Sequence, residues 1–347
     1  MIRPDELLKI KELAYPHYNF DDILPQLIEN IGSYQGQLVG IPYDIPIFIL
    51  MYRADLLDKA GVSVPKTLPE YAAALAKLNQ SLSPDIFGTS LQWKPGHYAL
   101  ECNMTSWLWG HGGSIFNRDK SPAINDAKAH EAMRYMLELA KYAPPQTTTF
   151  DWSDEAAHFR QGQSAMYISW GEFFPGFDDP KISNIVGKAE AALCPTALAL
   201  RPKNDCAFGE TPGVAHQGGS CLAISKYSKN IEAAWLFLQW ATSADITTRS
   251  NLLAGGASPI RASNYSDPRT QAQQKVALGT TRHLPIVKKA IETQMGTEPH
   301  LATWADLANQ HFAVELGKMV TGQQSIGDTL DKMAEATIVA VNQYEQN

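Results

Sequence analysis

Three neighbouring carboxylates form the densest group of potentially catalytic side chains in this 347-residue sequence: Asp151, Asp154 and Glu155. Glycoside hydrolysis needs two carboxylates that flank one bond, so a carbohydrate-cleaving enzyme is one interpretation of the group. The other interpretation is helix capping, because the segment that follows Asp151 has a helical pattern and acidic side chains stabilise a helix N-terminus. We favour capping, and the sequence therefore predicts no catalytic residue.

Other signatures of enzymes and metal sites are incomplete. His130-Glu131 begins a zinc-protease pattern, but Arg134 stands where the second histidine belongs. Residues 213–220 have the spacing of a phosphate-binding loop, with Gly219 in place of the lysine. The nine histidines show no pair at ligand spacing on one helix face. The sequence therefore predicts no metal and no cofactor.

The four cysteines form no C-x-x-C pair and no zinc spacing. Cys194 and Cys206 could form a disulfide in an oxidising compartment. The alternative that we favour is four buried thiols that act as small apolar side chains.

The net charge and the lengths of the apolar runs argue against nucleic-acid-binding and membrane-spanning proteins. The chain has 29 Lys and Arg against 36 Asp and Glu, so its formal net charge is 29 − 36 = −7. No basic stripe is apparent, which argues against a nucleic-acid partner. The longest apolar run, residues 47–51, has the length of a strand and not of a membrane-spanning helix. Charges interrupt residues 1–12 before an apolar stretch can form, so we expect no signal peptide in the sequence as given.

Short apolar runs alternate with amphipathic segments, which is typical of an α/β protein. The pattern predicts strands at 37–41 and 47–52, then a helix at 54–60 that ends at Gly61. Thr67 and Glu70 have the spacing of a capping box, and the helix that they open should bury Tyr71, Ala74, Leu75 and Leu78. The polar, proline-containing segment 81–85 is interpreted as a crossing between lobes.

An ordered series of sequence blocks carries the strongest functional signal. The blocks are Phe20–Pro25, Tyr34–Pro42, Met51–Gly61, Val64–Glu70, Gly112-Gly113, Phe159–Met166, Gly218–Ser220, Ser228–Trp235 and Gly255–Arg261. In this order they resemble the family 1 extracellular solute-binding proteins of bacterial ABC importers, which include sugar and polyol binders. The resemblance covers the chain from about residue 15 to its C-terminus.

The resemblance implies a type II periplasmic-binding-protein fold of class α/β, with two α/β lobes, a hinge and an interlobe cleft. On this basis we expect residues 1–84 in lobe 1, 85–217 in lobe 2, 218–295 in a return to lobe 1, and 296–347 in C-terminal helices on lobe 2. The first lobe is expected to be incomplete, because the sequence starts where relatives have already formed several strand–helix units.

The same resemblance suggests which side chains contact the solute. Family matching places contacts at Tyr43 and Asp44, at the aromatic platform Trp170 with Glu172, at Arg261 and at Trp304.

Spacing and residue type add two further pairs. Asn103 and Trp107 are four residues apart on one helical face, so the indole could stack on a sugar ring while the amide bonds its rim. Gly219 and Ser220 offer backbone N–H groups at close approach.

The implied activity is binding without catalysis. A neutral sugar or polyol would be held in the cleft, and hinge closure would present the complex to the permease subunits of the transporter. We expect a periplasmic monomer. Two alternatives stay open: a hydrolase that uses Asp151, Asp154 or Glu155, and a receptor for a non-sugar solute. In the second case Arg261 would suit an anion and the acidic residues a cation.

Overall fold

A computed structural model describes residue 4 and residues 18–196, 199–254 and 258–345. Gly255 and Gly256, which belong to the last predicted sequence block, lie outside the described residues, as do most of residues 1–17.

Ten strands, β1 to β10, are present in the described part of the chain. They are Ser33–Tyr34, Gln37–Leu38, Ile41–Asp44, Phe48–Arg53, Phe87–Thr89, Ser164–Trp170, Ala189–Ala192, Ala215–His216, Ser220–Leu222 and Met295–Gly296.

We number the α-helices of five or more residues α1 to α12. They are Ala54–Ala60, Leu68–Leu82, Tyr98–Gly110, Ala127–Leu139, Trp152–Arg160, Ile231–Ala241, Ala244–Ala254, Ala262–Ser266, Pro268–Gln274, Leu284–Thr293, Ala313–Val320 and Ile326–Glu345. Short helical turns include Pro25–Leu27 and Trp304–Asp306, and π-helical segments cover Ile28–Gly32 and Leu307–Phe312. None of the described helices is both long and apolar enough to cross a membrane.

A four-stranded mixed sheet in the order β5-β6-β4-β7 forms the centre of the large lobe. Strand β4 lies antiparallel to β6 and β7, and β5 runs parallel to β6. All seven residues of β6 are buried, as expected for a strand that helices cover on both faces. Helices α11 and α12 pack on α3 and α4 in the same lobe.

A second, smaller apolar cluster defines the small lobe. Its buried members are Tyr18, Ile23, Ile41, Ile224, Trp235 and Leu238. The antiparallel pair β3 and β9 runs along this cluster, and helices α6, α7 and α8 belong to the same lobe. Trp235 is fully buried, whereas Trp240 is about half exposed.

The lobe boundary differs from the expected position at residue 84. Residues 48–82 belong to the large lobe, because β4 hydrogen-bonds to β6 and β7 and helix α2 packs on β5. The chain passes from the β3–β9 pair to the central sheet at residues 45–47 instead. Segment 81–85 contains the last two residues of α2 and the start of its short connection to β5.

Two further connections run beside this crossing. The Gly218 N–H donates to the Pro46 carbonyl at 2.8 Å, and Ile47 forms an isolated bridge with Gln217. Strand β10 pairs in parallel with β8, immediately next to these residues. We call segments 44–47, 215–220 and 294–298 the crossing segments.

The local signals around α1 and α2 are confirmed. Helix α1 ends at Gly61, whose φ of 60° is the left-handed conformation that favours glycine. Thr67 and Glu70 form the capping box of α2, and the four predicted apolar residues of that helix are buried.

Candidate functional site

An aromatic cavity of about 330 Å³ opens where the crossing segments meet the large lobe. Its lining residues come from one crossing turn, the N-termini of two helices, the end of β6 and the loop before β9. They are Pro46, Tyr98, Trp152, Trp170, Glu172, Phe173 and Gly218. Aromatic planes beside one carboxyl group suit a small molecule that has both C–H faces and polar edges.

Trp170 is held rigidly as one wall of this cavity. Its ring centroid lies 4.3 Å from that of Phe48 on the neighbouring strand and 5.4 Å from that of His216. Gly218 packs directly against the indole, since a Cβ atom at this position would approach the ring to 3.0 Å. The glycine therefore permits the crossing segment to lie on the tryptophan.

Glu172 is the carboxyl group of the cavity. It follows β6 in the 3₁₀ segment Gly171–Phe177, and its Oε2 is buried without a hydrogen-bond partner. Burial, and to a smaller extent the charge of Asp44, raises the pKa of Glu172 to about 8. The free protein at neutral pH therefore holds this group mainly as the protonated acid, which can donate a hydrogen bond.

Asp44 lies in the adjacent crossing segment. Its Oδ1 accepts the Ser220 N–H at 3.0 Å, and burial raises the pKa of the carboxyl group above its ordinary value. The Gly219 N–H donates to Gln217 Oε1 at 2.8 Å. The N–H groups of Gly219 and Ser220 are thus paired within the protein, and these residues shape the crossing segment around Asp44.

Glu298 joins two aromatic side chains to the crossing segments. It accepts hydrogen bonds from Tyr98 Oη at 2.5 Å and Trp304 Nε1 at 2.8 Å, and it contacts His216 Nε2 at 2.9 Å. Burial alone would raise the pKa of Glu298, but the interactions with His216, Glu101 and Tyr98 together outweigh burial and lower the pKa to about 2. The anion of Glu298 therefore fixes Tyr98, which lines the cavity, and Trp304.

The carboxyl group of Glu101 lies beside this anion. Burial and the charge of Glu298 both raise its pKa well above the ordinary value, so Glu101 is neutral. Glu101, Cys102, His216 and Glu298 bring ligand atoms within 4.8 Å of one another, the geometry that a metal ion would need. Since Glu298 already has the three partners described above, we assign no metal ion to the group.

Three predicted contact residues lie away from the cavity. Tyr43 is exposed and lines a different depression of about 400 Å³ on the small lobe. Asn103 and Trp107 are buried within α3, and the Trp107 ring packs at 6.3 Å from Tyr71. The prediction of a shared helical face is geometrically sound, but that face points into the apolar core.

Arg261 is also removed from the cavity, in the interior of the small lobe. Its side chain is fully buried, with Nε donating to the Thr242 carbonyl at 2.7 Å and Nη1 donating to the Asn19 carbonyl at 2.6 Å. The guanidinium also lies 4.7 Å from the centroid of the Tyr18 ring. These contacts explain the residue as a structural bridge, contrary to the expectation that it enters the cleft.

The carboxylate group considered for hydrolysis is used in folding. The side chain of Asp151 accepts the N–H groups of Ser153 and Asp154, and Asp154 bonds back to the Asp151 N–H. Glu155 is fully buried and faces the core. The capping interpretation is therefore correct for Asp151 and Asp154, and the three carboxyl groups do not converge on the cavity.

The cysteines are free thiols. The Cys194 Sγ donates to the Phe48 carbonyl at 3.3 Å, and the Cys206 Sγ donates to the Pro202 carbonyl, so the possible disulfide between these two residues is not formed. Only Cys102 and Cys194 are buried, so the alternative of four buried thiols holds for half of them.

Sequence reasoning missed Tyr98, Trp152, His216 and Glu298. His216 and Glu298 lie in or just after strands of two residues each, which are too short to give a periodic pattern. Trp152 follows the recognised cap Asp151, and this position at a helix N-terminus is the signal that could have identified it.

Comparison with known proteins agrees with this architecture. Residues 4–278 match the profile of a family described as bacterial extracellular solute-binding protein. The chain belongs to this family. The match of this solute-binding protein extends through both lobes and the first two crossing segments.

Individual relatives are similar over most of the chain. A mannitol-binding protein of Pseudomonas aeruginosa is 25% identical over 344 residues, which cover 92% of this chain and 73% of that protein. A probable amino-acid ABC transporter periplasmic-binding protein of Sinorhizobium fredii is 25% identical, over 79% of this chain. The alignment spans 61% of the length of that relative.

A solved structure shows the same fold. The solute-binding protein of an ABC transporter from Agrobacterium radiobacter K84, in complex with ribitol, superposes with a TM-score of 0.81 at 25% identity. The superposition covers 99% of this chain and 80% of the other. The expected two-lobed α/β fold is thereby confirmed.

Proposed function

We propose that this solute-binding protein captures a sugar or polyol in the aromatic cavity and delivers it to the permease of an ABC importer. The observation that carries the proposal is the convergence of Tyr98, Trp152, Trp170 and Glu172 on the crossing segments between the lobes. Indole and phenol planes can cover the C–H faces of a polyol, and the Glu172 carboxyl group can bond its hydroxyls. The relatives named for mannitol and ribitol support the same solute class.

Binding would act through the hinge. A solute that contacts both the large lobe and the crossing segments stabilises the closed arrangement by its greater affinity for that arrangement. The protein makes and breaks no bond in the solute, and it works as a monomer in the periplasm.

Titration calorimetry with a panel of alditols and mono- and disaccharides tests the proposal. We expect at least one polyol, starting with ribitol and mannitol, to bind in the micromolar range or tighter. Replacing Trp170 by alanine should weaken that binding at least tenfold, since the wall of the cavity is lost. The matched control is Trp240→Ala, because Trp240 is an exposed indole on the small lobe that does not line the cavity. Equal affinity of the two variants would contradict the site.

Hydrolysis is the second outcome to be measured. Incubation with the same oligosaccharides should release no reducing ends. Release that disappears in an Asp151→Asn variant would replace the proposal with the hydrolase alternative.

A further inference from the structure

The described lining of the cavity contains an acidic group but no basic group. Its described lining has four aromatic rings and the carboxyl group of Glu172, with no lysine or arginine. The second nearby carboxyl group, Asp44, acts on Glu172 through its charge. One carboxyl group therefore lines the aromatic space and a second lies near enough to act on it, and the described lining holds no basic partner for either.

Other charged groups near the cavity do not compensate for these two. Lys94 pairs with Asp151 at 3.0 Å behind Trp152. His97 lies against the Trp152 ring at 4.6 Å, and burial lowers its pKa, so the imidazole is neutral at pH 7. Glu298, beneath Tyr98, is engaged by His216 Nε2 at 2.9 Å and is therefore not a free charge of the cavity.

One carboxyl oxygen of Glu172 has no hydrogen-bond donor within the protein. Its Oε2 is buried and has no partner, which is costly for a carboxyl oxygen. Tyr167 is a further titratable neighbour, and burial raises its pKa well above the ordinary value, so it carries no charge. A donor supplied by the solute would satisfy the unpaired oxygen.

We infer that the preferred solute carries a protonated amine in addition to its hydroxyls, and that the ammonium group binds between Glu172 and the surrounding aromatic rings. This inference rests on the proposed function and specifies its solute class as amino polyols or amino sugars. An ammonium group gains a charge-assisted hydrogen bond to the carboxylate and a cation–π contact with the indole faces. An acidic sugar or a sugar phosphate is disfavoured, because the described lining offers it no cation and the nearby charge of Asp44 opposes it.

Binding of the ammonium group should release a proton. Glu172, with a pKa of about 8, is mainly protonated in the free protein at pH 7, and it becomes a carboxylate opposite the bound cation. Its proton passes to the buffer. The affinity for an amine should therefore rise between pH 6 and pH 8, whereas the affinity for the matching neutral polyol should not.

The experiment compares solutes that differ at one carbon. The probes are 1-amino-1-deoxy-D-glucitol, D-glucitol and D-gluconate, with the corresponding sets on the mannitol and ribitol skeletons. Calorimetry at pH 7 in two buffers of different ionisation enthalpy measures affinity and proton release together. We expect the amine of at least one set to bind about tenfold more tightly than its hydroxyl counterpart, with proton release, and the acid to bind least.

Substitutions then locate the effect. Glu172→Gln should reduce the amine preference to threefold or less and abolish proton release, and Asp44→Asn should reduce the preference partly. Glu131→Gln is the control, because Glu131 is an exposed carboxylate on α4. Far-UV circular dichroism confirms that each variant folds.

The outcomes separate the two proposals. If a neutral polyol binds as tightly as its amine, the inference is overturned and the proposed function stands. If an amine preference survives in both Glu172→Gln and Asp44→Asn, the assigned site is overturned. If no member of any set binds, and no alditol or saccharide of the wider panel binds either, both proposals fail.

Discussion

Glu155 shows how a single buried group shapes the pH response of the fold. Its side chain is fully buried, and neither carboxyl oxygen has a hydrogen-bond partner. Burial raises its pKa well above the ordinary value of 4.5. A group whose pKa is raised by folding contributes its stability below pH 4.5 and loses that contribution as the pH rises through the pKa of the folded state.

Replacement of Glu155 by glutamine should therefore stabilise the protein at alkaline pH. The neutral amide removes the cost of a buried carboxyl group that the unfolded chain would ionise, an effect of about 1–3 kcal/mol. Urea denaturation between pH 5 and pH 9 should show an advantage of the variant that grows with pH. The exposed control Glu131→Gln should stay within about 0.5 kcal/mol of the natural chain. An advantage that shrinks as the pH rises would contradict the assignment.

At the scale of elements, the cap of α2 links sequence to stability most directly. The Thr67 hydroxyl accepts the Glu70 N–H, and the Glu70 carboxylate accepts the N–H groups of Lys66 and Thr67. The helix that begins here packs on β5 and supports the central sheet of the large lobe.

The Thr67→Ala variant should lose about 1 kcal/mol of unfolding free energy, because the first turn of α2 loses an acceptor for its unpaired N–H groups. Ser63→Ala is the matched control, since Ser63 is exposed and precedes the helix. Chemical denaturation of both variants provides the comparison. An equal loss in the two would show that the cap does not stabilise the helix.

Elements with strong local signals are the ones that the sequence predicts well. The bounds of α1, its glycine stop at Gly61 and the capping box of α2 all follow from short-range chemistry. The place of β4 in the sheet does not follow in this way. An apolar run indicates that a strand is buried, but it does not indicate which strands pair with it. The expected lobe boundary lies at residue 84, whereas strand pairing joins β4 to β6 and β7 in one sheet.

The same distinction applies to the site. Family matching pointed to Trp170 and Glu172, and both line the cavity, Trp170 as the last residue of β6 and Glu172 two residues later. Trp107 and Arg261 could not be placed from the sequence, because a tryptophan or an arginine suits a core and a cleft equally well until its partners are known. The partners here are Tyr71 for Trp107 and the carbonyl groups of Asn19 and Thr242 for Arg261.

At the scale of the whole molecule, Glu298 connects the hinge to the aromatic cavity. It follows β10, the crossing strand that pairs with β8, and it holds Tyr98 and Trp304 of the large lobe. Motion of the crossing segments and the orientation of these two rings should therefore be coupled through one carboxylate.

The Glu298→Gln variant should bind its solute about tenfold more weakly while remaining folded. An amide keeps one acceptor oxygen but loses the negative charge that strengthens all three contacts. Calorimetry with the solute found in the polyol panel measures the effect, and thermal unfolding confirms that the variant folds. The control is Glu292→Gln on α10, whose carboxylate forms only a long ion pair with Lys288 at 3.8 Å. Undiminished affinity in the Glu298 variant would exclude the coupling.

The exposed thiol of Cys221 has a practical consequence. It lies on β9 opposite Pro42 of β3, one residue after Ser220, whose N–H is bonded to Asp44. Two of the other three cysteines are buried, so a Cys206→Ser background would leave this sulfur as the most accessible target for a maleimide dye. A fluorophore attached there would lie beside the crossing segments, and its emission could then report the binding of the solute.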